Sequence, residues 1–269
     1  MKKYLVPILL VALLASGGCR SKKNIQIDPT ERGSDKKMYE NAIKRMGRDP
    51  EKARLLFKEI IQLYPESVYA SRSKLGIADS YFKERDSASL IMAATEYQEY
   101  VNLYPYSPDA VYAKHQIGMC YSKQMKKPER DQSNTLATIK AFEALIQQYP
   151  NTPEAEEGKK RIAEARQTLA THHFQIGYYN YVYYAFDGAI SRFKQVIDEF
   201  PEFKQMDKLF YYTGKAYYRL KNYDSALSFF QRILGNYPKS KYVGKSKRMI
   251  VRIGLLNRVP SPKAGGDKK

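Results

Sequence analysis

Ala189-Ile190-Ser191-Arg192-Phe193-Lys194-Gln195-Val196-Ile197-Asp198-Glu199-Phe200-Pro201 carries a pattern that the chain repeats. Phe193, Val196, Ile197 and Phe200 stand at i, i+3, i+4 and i+7, the spacing that lines one face of an amphipathic helix. Pro201 then ends that helix, because the residue before a proline is pushed out of the α region. Ala189, four residues before Phe193, lies on the same face and lets a neighbouring helix approach closely. The pattern recurs as Ala53…Phe57-x-x-Ile60-Ile61-x-x-Tyr64-Pro65 and Ala93…Tyr97-x-x-Tyr100-Val101-x-x-Tyr104-Pro105. It returns as Thr138…Phe142-x-x-Leu145-Ile146-x-x-Tyr149-Pro150 and Ala226…Phe230-x-x-Ile233-Leu234-x-x-Tyr237-Pro238.

A second helix reads between successive prolines. Thirteen residues after Pro65, Pro105, Pro150 and Pro201 come Ala78, Gly118, Ala163 and Gly214; sixteen residues after come Tyr81, Tyr121, Arg166 and Tyr217. A small residue with an aromatic three positions on marks the packing seam of the first helix in a helix–turn–helix pair. Together these marks resemble the tetratricopeptide repeat (TPR). They predict an all-α, TPR-like solenoid of five helix–turn–helix repeats over residues 35–256. A C-terminal capping helix over Lys241–Leu256 completes it, with Val243, Met249, Ile250, Val251, Ile253 and Leu255 as its apolar material. The proline-to-proline spacings of 40, 45, 51 and 37 exceed the usual repeat of about 34, so helices or turns are extended. The repeated aromatic and aliphatic positions are core, since no helix pair buries its apolar face alone.

Composition bounds the function. The 269 residues carry 46 Lys+Arg against 28 Asp+Glu, a formal net charge of +18. A hydrophobic content of 43% is enough for a folded core. Two cysteines cannot form the disulfide framework of a small secreted domain. The positive surplus favours anionic partners: nucleic acid, an acidic lipid surface or an acidic protein. Near half of it falls in the last segment, where residues 239–269 hold ten Lys+Arg and the single acid Asp267. Residues 257–269, with Pro260, Pro262, Gly265 and Gly266, read as a disordered basic tail. This basic end is either a solvated cap or a surface set against anionic headgroups or an acidic face of a partner.

The N-terminus speaks to the compartment. Lys2 and Lys3 precede an apolar run from Leu5 to Ala15, then Ser16, Gly17, Gly18 and Cys19, the layout of a signal peptide over residues 1–18. The run is shorter than the roughly 20 apolar residues a membrane span needs. Cys19 directly after the small residues resembles the bacterial lipoprotein signal, with Ser16 where that pattern usually carries Leu. The resemblance implies cleavage before Cys19, covalent lipid on Cys19, a flexible tether over residues 19–34 and attachment to the periplasmic face of the outer membrane. An exported chain meets no cytosolic DNA, so nucleic acid is excluded as a partner.

No catalytic constellation is present. His172 and His173 are adjacent, so they point about 100° apart and cannot chelate a metal together. No His/Cys/Asp/Glu group has zinc spacing, and no phosphate loop, G-x-S-x-G or dinucleotide fingerprint appears. Cys120, in Gly118-Met119-Cys120-Tyr121, reads as a small buried residue. The chain is therefore expected to be no enzyme, with neither metal nor cofactor. Tyr178, Tyr179, Tyr181, Tyr183 and Tyr184, then Tyr211, Tyr212, Tyr217 and Tyr218, occupy several helical phases. One face cannot bury them all. They either pack extra-long helices on each other or leave some rings at a contact, where tyrosine is favoured.

Arg130-Asp131-Gln132, then Ala141-Phe142 through Gln148-Tyr149-Pro150-Asn151-Thr152, lead into a long helix ending near Tyr178-Tyr179. After it come Ala189-Ile190-Ser191-Arg192-Phe193 and Phe200-Pro201. That order, the five Tyr-Pro or Phe-Pro marks and the lipoprotein signal resemble the BamD family, the TPR lipoproteins of the outer-membrane β-barrel assembly (BAM) machine, over residues 35–256. The resemblance implies a scaffold whose N-terminal repeats receive segments of unfolded outer-membrane proteins. It implies C-terminal repeats that dock on the POTRA domains of BamA, beside other BAM subunits. Arg192 matches a family arginine that contacts the barrel partner, and Tyr178, Tyr181 and Tyr184 are expected to flank it. The chain departs from the family at Asn180-Tyr181-Val182-Tyr183-Tyr184-Ala185, where members usually carry a charged, glycine-containing turn. By repeat register the substrate groove holds Arg72, Leu75, Asp79, Phe82, Tyr112, His115 and Met119, a mixture suited to a polypeptide ending in an aromatic residue and a carboxylate. The alternative is another TPR lipoprotein, a scaffold for pilus secretins or envelope division. An enzyme bound to the cell wall would need the catalytic constellation that is missing.

Overall fold

The computed structural model describes residues 33–256; the signal peptide, Cys19, most of the tether and the basic tail lie outside the described residues. Eleven α-helices follow one another among the described residues, with no strand. They pair as α1(Asp35–Met46) with α2(Pro50–Leu63), α3(Val68–Glu84) with α4(Ser87–Leu103), and α5(Ala110–Lys123) with α6(Ser133–Gln148). Then come α7(Pro153–Val182) with α8(Phe186–Glu199), α9(Met206–Arg219) with α10(Tyr223–Asn236), and the unpaired α11(Val243–Leu256). This is an all-α TPR-like solenoid of five pairs and a cap.

The helix ends follow from local chemistry. Side chains of Ser34, Asp49, Ser67, Asp86, Thr152 and Asn222 accept hydrogen bonds from first-turn backbone N–H groups. Pro50 and Pro153 occupy opening positions whose N–H would have no partner anyway. Every second helix closes the same way. Tyr64, Tyr104, Tyr149, Phe200 and Tyr237, each before a proline, leave the helix at φ between −128° and −134° and ψ between 57° and 62°. In three pairs the turn between the helices uses a left-handed residue, Arg85, Tyr184 or Lys221. None is glycine, so each stores backbone strain of about 1 kcal/mol.

The five repeated aromatics, Phe57, Tyr97, Phe142, Phe193 and Phe230, are all fully buried, as are Ala53, Ala93, Thr138, Ala189 and Ala226 four residues before them. Glycine on a first helix makes room for the ring. A Cβ at Gly118 would stand 2.7 Å from the Phe142 ring, closer than real contacts allow. The fourth pair breaks the expected register. Ala163 is exposed, and Gly177 instead meets Phe193, where a Cβ would fall 2.7 Å from the ring. The reason is the length of α7: at 30 residues it runs about 45 Å. Its N-terminal half packs Ala155 and Gly158 toward α6, and its C-terminal half serves α8. The cap also differs in part. Met249 and Ile253 are buried with Ser246, whereas Val251 and Leu255 are exposed. Among the described residues no helix is long and apolar enough to cross a membrane.

Candidate partner-binding surfaces

Residues 172–183, the last turns of α7 and its capping residue Tyr183, carry two stripes, with successive residues about 100° apart. Phe174, Gly177 and Tyr181 face α8 and α9: Phe174 lies 5.6 Å from Phe193, and Tyr181 lies 5.5 Å from Tyr212. Tyr178 edges onto Tyr212 at 4.8 Å. His172, Ile176, Tyr179 and Tyr183 form the other stripe. There the α5–α6 loop folds against the helix. The His172 Nδ1 meets the Pro128 carbonyl at 2.6 Å, and the Gln175 amide donates to the Glu129 carboxylate at 2.7 Å. Buried Gln132 holds the loop's shape by donating to the carbonyls of Lys127 and Arg130.

Beyond that loop this second stripe of α7 runs on uncovered. A cleft of about 560 Å³ opens between Pro128, His172, Ile176, Tyr179, Val182 and Tyr183. Tyr179, Val182 and Tyr183 are 60%, 48% and 64% exposed, and the two tyrosine rings lie 4.3 Å apart. Exposed apolar and aromatic surface of this kind has the composition that binding surfaces favour, tyrosine above all. Sequence reasoning named the tyrosines but missed Pro128, His172, Gln175 and Val182. The i, i+4, i+7, i+11 spacing of His172, Ile176, Tyr179 and Tyr183 was the available signal.

Arg192 does not join the tyrosines expected around it. It is half-buried on α8, donates to the Gln195 Oε1 at 2.8 Å, and packs its Cβ beside Gly177. Its charge adds to burial and to His172 in holding His173 below the ordinary histidine range. Positions 173 and 178 are about 140° apart around α7, so Arg192 lies on the side of His173 and Gly177 while Tyr178 meets Tyr212 of α9. Tyr184 turns back at φ 63°, with its ring 6.0 Å from Phe186 and under the Arg219 guanidinium.

In the N-terminal pairs, three of the expected groove residues form one constellation. Asp79 accepts hydrogen bonds from the hydroxyls of Tyr97 at 2.5 Å and Tyr112 at 2.9 Å. Phe82 sits edge-on to Tyr97 at 6.4 Å, with the Lys123 ammonium 5.3 Å from its centroid. Arg72 is exposed near the Tyr69 ring, and Leu75 and Met119 are half-buried. His115 departs from the groove. It is buried edge-on to Phe142 and 3.5 Å from the Glu157 carboxylate, because α7 covers that side of α5. Cys120 is fully buried, and burial pushes its thiol up to about 12. Among the described residues no His/Cys/Asp/Glu group could hold a metal.

Burial, more than any neighbour, raises the Asp79 pKa; the two tyrosine hydroxyls and Lys83 oppose it, and Asp109 adds to it. A carboxylate whose folded pKa is raised loses stability as pH climbs from its unfolded value, near 4, through its folded one. Asp79→Asn keeps an acceptor for both hydroxyls and removes that charge. The variant is expected to gain about 1 kcal/mol over the parent at neutral pH. The gain should vanish below the unfolded carboxylate pKa, as read by thermal melts across that range.

Residues 31–226 match the family model YfiO, described as outer membrane lipoprotein. Three curated relatives are named outer membrane protein assembly factor BamD. The Caulobacter vibrioides protein is 30% identical over 142 residues, 53% of this chain and 46% of that protein, so the match spans less than half of its length. The Rickettsia prowazekii protein is 28% identical over 80% of this chain and 81% of its own. The Neisseria gonorrhoeae protein is 22% identical over 82% and 85%.

Proposed function

The chain belongs to the YfiO family of outer membrane lipoproteins, and we propose that it is a scaffold in the assembly and insertion of β-barrel outer-membrane proteins. In this reading the N-terminal pairs take segments of unfolded clients along the Asp79, Phe82 and Tyr112 constellation. The C-terminal pairs dock on the POTRA domains of BamA. The observation that carries the reading is the uncovered end of α7, where Tyr179, Val182 and Tyr183 expose a cleft to solvent. A helix end of this kind, set in a rigid stack, suits a lasting contact with a folded partner better than transient chemistry. Affinity capture from detergent-solubilised outer membrane is expected to enrich BamA. Enrichment of a secretin subunit without BamA would overturn the reading.

Attachment belongs to the same proposal. Cleavage before Cys19 and acylation of its thiol would hold the solenoid on the periplasmic face of the outer membrane, by two or more chains, since one gives only marginal binding. Cys19→Ala is expected to release soluble protein or leave uncleaved precursor. A variant that still partitions with membranes like the parent, with no lipid on the parent's mature N-terminus by mass spectrometry, would contradict the anchor.

A further inference from the structure

The inner side of α9 carries a charge arrangement that docking at α7 does not use. Lys208, Tyr211, Tyr212, Lys215, Tyr218 and Arg219 follow the spacing of a single face of this helix, with Tyr211 and Tyr218 at its α10 edge, 6.0 Å from Phe230 and 5.7 Å from Tyr223. The end of α7 closes one side with Tyr178 and Tyr181, both against Tyr212. The other side is closed by Tyr242, 4.9 Å from Tyr211, and by Arg248 and Arg252, one turn apart on α11. The rings thus run unbroken from α7 across α9 to α11, with cations between them.

Those cations lack anionic partners. Residues 203–256 hold twelve Lys+Arg and only two acids, Asp207 and Asp224. Asp207 is engaged by the Ser240 hydroxyl at 2.5 Å and the Lys208 backbone N–H at 2.7 Å. Among the described residues, no ion pair involves a residue beyond Glu202. Lys215 is half-buried and faces Arg219 and Arg252, which add to burial in holding it below the ordinary lysine range. Like charges gathered in a recess cost folding free energy, and an external anion relieves that cost.

We propose that this recess between α7, α9 and α11 binds an acidic polypeptide segment in which aromatic or aliphatic side chains alternate with carboxylates. Lys215, Arg248 and Arg252 take the carboxylates, Arg with its bidentate fork. Tyr178, Tyr211, Tyr212 and Tyr242 take the apolar side chains, each ring offering a hydroxyl to the passing backbone. A headgroup layer is the poorer fit. It is a plane that meets protruding cations such as Lys239, Lys241 and Lys247, whereas Lys215 is half-buried beside Arg219 and Arg252. The recess is separate from the Arg192 seam, so the inference stands whether or not BamA is the docking partner.

The test uses the full chain and a fluorescein-labelled peptide alternating Asp and Glu with Phe and Leu, read by anisotropy. Its Asn/Gln counterpart and phosphatidylglycerol vesicles serve as the other probes. The acidic peptide should bind, weaken as salt rises, and outbind the amide peptide by about tenfold or more. Lys215→Gln with Arg252→Gln should cost about tenfold or more, with helicity unchanged, while Lys58→Gln on the exposed side of α2 leaves binding intact. Absence of peptide binding, equal affinity for the amide peptide, or indifference to the double substitution would each overturn the proposal. So would a double substitution that abolishes vesicle binding but spares the peptide, which would assign the cations to lipid.

Discussion

Phe142→Ala is expected to destabilise the protein by about 3–5 kcal/mol, the range for removing a fully buried ring. The size follows from its position. Phe142 is fully buried on α6 between Gly118 of α5 and Gly158 of α7, so its loss opens a cavity shared by three helices. The same geometry predicts a change of sign. Gly118→Ala alone should destabilise by about 1–3 kcal/mol, because its Cβ collides with the ring, although alanine favours helix. Placed in the Phe142→Ala background, Gly118→Ala should instead stabilise, because the methyl group fills vacated space. Urea unfolding of the four proteins gives the cycle. Additive effects would show that ring and glycine are not in contact.

On the proposed function, Arg192→Glu is expected to cost about 2–5 kcal/mol of binding to BamA, if its carboxylate partner is buried in the complex. The side chain is half-buried, spends one N–H on Gln195, and has no carboxylate in ion-pair range among the described residues. Its remaining donors suit a bidentate partner from outside. Arg192→Lys should fall between, since an ammonium keeps the charge without the fork. Co-purification from solubilised membranes, with helicity as the folding control, reads the effect. Glutamate at 192 co-purifying with BamA as well as the parent does would place the contact elsewhere, the α7 cleft being the next surface to mutate.

The helical pairing was legible because its signals are local. Each Tyr-Pro or Phe-Pro mark fixes a helix end through backbone sterics, and each apolar face is written within a few turns. The fourth pair escaped the thirteen-residue register because α7 keeps two sets of neighbours. Counting from Pro150 finds exposed Ala163 and passes over Gly177. Residue types at the site were legible, but their grouping was not. Arg192 and Tyr178 are near in sequence, yet Arg192 on α8 packs against Gly177 while Tyr178 turns to Tyr212 on α9. His115 was misplaced for the same reason, since its cover comes from Glu157 on a helix whose reach the repeat count does not encode. The Asp79 constellation depends on Tyr97 from α4, a residue that reads only as core in its own repeat.

The length of α7 also changes how the array behaves as a mechanical object. In an ordinary stack each pair touches only its neighbours, so bending and melting can begin at any joint. Here one rod packs against α5 and α6 at one end and α8 and α9 at the other. The middle of the chain is thereby splinted, and the joint between the third and fourth pairs is removed as a hinge. The α4–α5 joint is crossed by no helix of that length, and the α8–α9 joint is crossed only where the end of α7 touches α9, so compliance is concentrated there. Amide exchange should follow that division, with α5–α8 opening as one slow block and α1–α4 opening independently of it. The two ends of the molecule would then swing as separate arms on a stiff central beam.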